Sequence, residues 1–145
     1  MGKSADGQKG RESSGSFRTQ LHWQKAQAFA AQAAMLTERL PSNRAADVIG
    51  NQLVQAATSI GANIAEGYGR FSQAAYRNHL SIARGSAFEA ESWIDLLIRC
   101  EYVSDDEGRR LLEACLEVQK LVSFRMKQLP QGKTYISEEA AVYAV

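Results

Sequence analysis

The chain has 145 residues, of which 45% are hydrophobic and 23% charged, with only two prolines and a formal net charge of +1 from 17 basic and 16 acidic residues. That length suits one domain, burying roughly 68–70% of the surface its unfolded chain exposes, and the balanced charge excludes the global basic excess of a dedicated nucleic-acid binder. No apolar run approaches the roughly 18 residues of a membrane span, and the first sixteen residues hold no signal-peptide apolar segment, so the sequence reads as cytoplasmic with no membrane partner.

Residues 1–16, Gly- and Ser-rich with mixed charge, cannot bury enough surface to offset ordering and read as a disordered N-terminal tail. From Phe17 to Leu40 the apolar positions Ala26, Phe29, Ala33, Leu36 and Leu40 step by three and four, which is one stripe of a helix. Pro41 stops it, and Ser42 or Asn43 offers the next N-cap.

The second helix carries Ile49, Leu53, Ala56, Ile60 and Ile64 on one face and is expected to close on Gly67 and Gly69 in the left-handed conformation. Ser72 is the next cap. The third helix places Tyr76, Leu80, Ala83, Ala87, Ala90, Ile94 and Leu97 in an unbroken heptad seam. Ser104, followed by Asp105, Asp106 and Glu107, has the form of a capping box for a fourth helix with a seam of Leu111, Cys115, Val118, Val122 and Leu129.

Helices joined by such short turns run up and down as neighbours. The fold class is therefore all-α, an antiparallel four-helix bundle over residues 17–130, with a second tail at 131–145. Cys100 and Cys115 flank the third turn at roughly 14 Å of axial offset, too far for a disulfide, and read as reduced core or near-core thiols.

The stretch Ala57-Thr-Ser-Ile-Gly-Ala-Asn-Ile-Ala-Glu-Gly-Tyr-Gly-Arg70, then Leu80-Ser-Ile-Ala-Arg-Gly-Ser86 and Glu89, with Trp23-Gln24-Lys25-Ala26 upstream, resembles one protein family. It is similar to the four-helix bundle proteins encoded in intervening sequences of bacterial 23S ribosomal RNA, which include the accessory variability proteins of diversity-generating retroelements. The resemblance spans Phe17 to Leu129. It implies a homopentameric ring and, in the retroelement branch, a scaffold whose basic surface contacts a reverse transcriptase and RNA or DNA. Two departures stand out: Gly61 occupies a position where proline is usual, and the net charge is near zero where the retroelement proteins are strongly basic.

Arg70, Arg77 and Arg84, spaced by seven, are the candidate nucleic-acid or partner contacts, since guanidinium groups along one helix edge meet successive phosphates or carboxylates. The structural reading pairs them with Glu66, Glu89 and Glu91. Asn63 and Glu66 flank the Ile64 stripe and either join Arg84 in a polar site or bond backbone groups at the helix end. Gly85 and Ser86, in mid-helix, suggest a close approach of two backbones.

Phe88, Trp93, Tyr102 and Phe124 lie beside the seams, so they call for a second surface, most simply a contact between copies of the chain. The two histidines, His22 and His79, have no ligand partners at metal spacing, and His79 and Cys100 are roughly 30 Å apart along one helix. No phosphate loop or nucleophile motif occurs. The expectation is a non-enzymatic scaffold or adaptor without cofactor or metal; a structural or protein-binding oligomer without nucleic-acid contact is the alternative.

Overall fold

Side-chain oxygens placed one turn ahead of an apolar stripe start three of the four helices. The computed structural model describes residues 16–130: a 3-10 turn at Phe17–Thr19, then α1 Leu21–Thr37, α2 Arg44–Tyr68, α3 Gln73–Arg99 and α4 Asp105–Gln128. Asn43, not Ser42, caps α2 by accepting from the Ala46 N–H at 2.8 Å. Ser72 caps α3 and Ser104 caps α4 in the same way, satisfying otherwise orphaned donors. Glu107 turns away from the Ser104 backbone to pair with Arg39 at 3.1 Å, tying the α1–α2 turn to the start of α4. The tails expected at 1–16 and 131–145 lie outside the described residues, except Ser16, whose hydroxyl accepts from the Arg18 N–H at the 3-10 turn.

Helix ends differ from the expectation at one informative place. No glycine among the described residues has positive φ; Gly67 lies inside α2, and Gly69 caps it at φ −78°. The left-handed cap occurs instead at Glu101, φ 59°, after α3. There the Tyr102 N–H reaches the Leu97 carbonyl and the Glu101 N–H reaches the Ile98 carbonyl, the paired bonds of a Schellman motif. Gly67 is small for a different reason, packing: a Cβ there would lie 2.5 Å from the His79 Cβ, so α2 and α3 cross in close approach at this point.

Every stripe residue read from the sequence in α2, α3 and α4 is buried, as are Ala26, Phe29, Ala33 and Leu36 of α1; Leu40 is partly buried against them. Phe29, Leu53, Ile60, Ile64, Leu80, Ile94, Leu97 and Leu111 form one continuous core. Each helix packs on two neighbours, α2–α3 most extensively, and none packs across a diagonal. The bundle is thus a square with an α1–α2 face opposite an α3–α4 face. Among the described residues, no strand occurs and no helix is long and apolar enough to cross a membrane.

Candidate functional site

A ladder of polar side chains runs along the α2–α3 seam. Ser86 Oγ and Ser59 Oγ are 3.0 Å apart, Asn63 donates to both the Ser59 carbonyl (2.9 Å) and hydroxyl (3.0 Å), and His79 Nδ1 lies 3.2 Å from Asn63 Oδ1. Because the Asn63 oxygen accepts, His79 carries its proton on Nδ1. Glu66 stands 3.7 Å from the same nitrogen and binds Arg70 at 2.9 Å. The polar group proposed around Asn63 and Glu66 therefore exists, but its third member is His79; Arg84 lies on the other side of α3.

The arginine row is broken at its first member. Arg70 lies beyond the start of α3 and pairs with Glu66 on α2, while Arg77 and Arg84 do follow one edge of α3, facing α4. Arg77 donates to the Met126 carbonyl in the last turn of α4, which also accepts from the Leu129 N–H at the C-cap. Arg84 donates to Ser123 Oγ at 2.8 Å and lies 4.7 Å over the Phe88 ring. Neither meets Glu89 or Glu91: Glu89 forms no ion pair among the described residues, and Glu91 accepts from the Gln119 amide at 2.7 Å. The close approach expected at Gly85 is also absent, since a Cβ there would meet nothing within 4 Å; α3 meets α2 instead through Ser86, against Ser59, and through His79, against Gly67.

The aromatics off the seams divide into two pairs. Trp93 and Tyr102 fold back onto the core, Trp93 with its indole Nε1 buried and unpartnered. Phe88 and Phe124 are 45% and 61% exposed and stand together on the α3–α4 face beside Lys120, Ser123 and Lys127. They form an aromatic ridge. On the opposite face, Phe17 and Trp23 close one end of an open apolar groove of about 560 Å³, floored by Ala30, Ala34, Gly61 and Ala65. Sequence reasoning missed the groove, although a signal was present: between Asp47 and Glu66, α2 carries no charged residue.

Two buried polar groups complete the picture. His22, 5% exposed, sits with Nε2 3.0 Å from the Tyr76 hydroxyl; burial, reinforced by the nearby Arg125 charge, lowers its pKa to about 4 and keeps it neutral. Cys115 points its thiol at the Ala87 carbonyl, and burial pushes its pKa up to about 12. Cys100, in contrast with the expectation for both thiols, is exposed at the α3 C-cap, where the chain leaves the core. Among the described residues no three His, Cys, Asp or Glu side chains converge to hold a metal ion. His79 bonds to an amide, and among the described residues no thiol or hydroxyl is hydrogen-bonded to it as a nucleophile would be to its base.

A comparison with curated proteins finds no match. Among solved structures, a crystal structure from Bacteroides thetaiotaomicron, of a protein of unknown function from the S23 ribosomal protein family, superposes with a TM-score of 0.70 at 32% identity. The alignment covers 74% of this chain and 100% of that one. The model of the 23S rRNA-intervening sequence protein family matches residues 18–123, which include all of α1, α2 and α3 and most of α4. The chain belongs to the 23S rRNA-intervening sequence protein family.

Proposed function

We propose that the protein is a non-enzymatic scaffold that works as a homo-oligomer. The observation that carries this reading is the α1–α2 face. There Val48, Asn51, Gln55, Thr58 and Ala62 of α2 are exposed or line the groove, and the helix carries no charge from Val48 to Ala65. Interfaces differ from ordinary protein surface chiefly by loss of charged residues at their centre. Exposed Met35 (66%) and Val48 (54%) add to the apolar area that water would otherwise meet. Five copies in a ring is the number the resemblance implies.

A second reading, contact with RNA or DNA alongside a reverse transcriptase, draws on the α3–α4 face. Arg84, Lys120 and Lys127 form no ion pairs among the described residues and surround two exposed phenyl rings, the combination that grips a phosphate backbone while bases stack. Balanced overall charge weighs against it: Phe17 to Pro130 holds 13 basic and 12 acidic residues.

Light scattering on the purified protein, followed by titration with a labelled structured RNA at two salt concentrations, separates the two. An oligomer indifferent to RNA supports the protein scaffold. Binding that weakens steeply with salt and is lost in Arg77→Glu, Arg84→Glu supports the nucleic-acid version, and a monomer overturns the self-association reading.

A further inference from the structure

The self-association reading leaves open which surfaces meet. We infer that the groove between α1 and α2 receives the α3–α4 ridge of a second copy of this chain, so that Phe88 and Phe124 of one subunit seat against Ala30, Ala34 and Ala62 of the next.

Shape and polarity match. The groove is lined by alanines, Gly61 and Thr58, so its floor lies close to the helix backbones, and no charged side chain lines it. The ridge offers the opposite form, two phenyl rings standing out of the surface. Because the two surfaces occupy opposite sides of the square, one contact covers both apolar patches; a groove-to-groove pairing leaves Phe88 and Phe124 in water.

The charges match at the border by the α1–α2 turn as well, whereas Arg18 beside Phe17 puts a cation at the other end. Glu38 and Asp47, at the α1–α2 turn beyond the groove, have no ion-pair partner among the described residues and outnumber the one unpaired cation there, Arg44. Around the ridge the charges without an ion-pair partner among the described residues are mainly basic, Arg84, Lys120 and Lys127 against Glu91, which accepts from the Gln119 amide. A contact between unlike surfaces is heterologous and repeats from copy to copy, closing into a ring or running on as a filament.

Two variants test this, each spoiling one surface at an exposed helix position: Ala62→Glu in the groove and Phe124→Glu on the ridge, with Ala62→Lys in reserve and helicity checked by circular dichroism. Each variant alone is expected to be monomeric in light scattering. Mixed, they are expected to give a one-to-one dimer, because the Phe124→Glu chain keeps an intact groove and the Ala62→Glu chain an intact ridge. A folded Phe124→Glu chain that stays oligomeric overturns the inference and points to a groove-to-groove contact; a folded Ala62→Glu chain that stays oligomeric overturns it and leaves the groove to a different protein; a mixture that remains monomeric overturns it as well. A monomeric parent chain defeats the self-association reading itself, which distinguishes the two failures.

Discussion

A Cβ added to Gly67 would stand 2.5 Å from the Cβ of His79 and 3.0 Å from Tyr76 Cδ1, so α2 and α3 meet there at a distance only glycine permits. The His79 Cβ is fixed to its own backbone and cannot swing aside. Gly67→Ala should therefore destabilise the fold by about 1–3 kcal/mol through overpacking. Gly85→Ala, at a helical site with nothing within 4 Å, should stabilise it by about 0.5–1 kcal/mol, because alanine has less unfolded-chain freedom to lose. Urea denaturation of the pair checks both signs.

Glu101 holds a left-handed conformation, φ 59°, without the freedom of glycine. Glu101→Gly should raise stability by about 1 kcal/mol, the order of the strain a side chain carries there. A denaturation midpoint that falls instead would mean that the carboxylate contributes more than the strain costs.

The two thiols should separate cleanly in a labelling experiment. Exposed Cys100 should react promptly with a disulfide reagent in the native state, whereas Cys115, buried and with its pKa at about 12, should react only on unfolding. One equivalent before denaturant and two after is the expected count.

How much of this was readable beforehand depended on the kind of signal. The seams of α3 and α4 were legible residue by residue because burial imposes a strict three-and-four spacing on side chains such as Leu80, Ile94 and Val118. The partner of Asn63 was not, because His79 belongs to another helix and its reach depends on the crossing that Gly67 allows. Arg77 and Arg84 were placed on the correct edge, yet their acceptors, a carbonyl and a hydroxyl on α4, have no sequence signature. The left-handed cap was sought at glycines and found at a glutamate, since hydrogen bonding at the end of α3 overrides residue preference.

His22 makes stability depend on pH. Its folded pKa, about 4, lies below the ordinary 6.5, so between those values the unfolded chain binds the proton more tightly. Its neutral form fits the fold fully above pH 6.5, and stability is lost as pH falls from there toward 4. Between pH 7 and pH 5 the loss should be about 2 kcal/mol. His22→Gln, which removes the titrating ring, should flatten that part of the profile; an unchanged slope would assign the effect to another group.

The side chain of Gln27 lies across Gly61, its amide oxygen filling the space where any other residue would carry a Cβ. A hole in an uncharged surface is thus capped by a group that water can solvate. The cover is a flexible side chain on an exposed position of α1, able to leave by a change of rotamer. The subunit can in this way remain wettable while alone, without a fixed charge that any later neighbour would have to strip of its hydration.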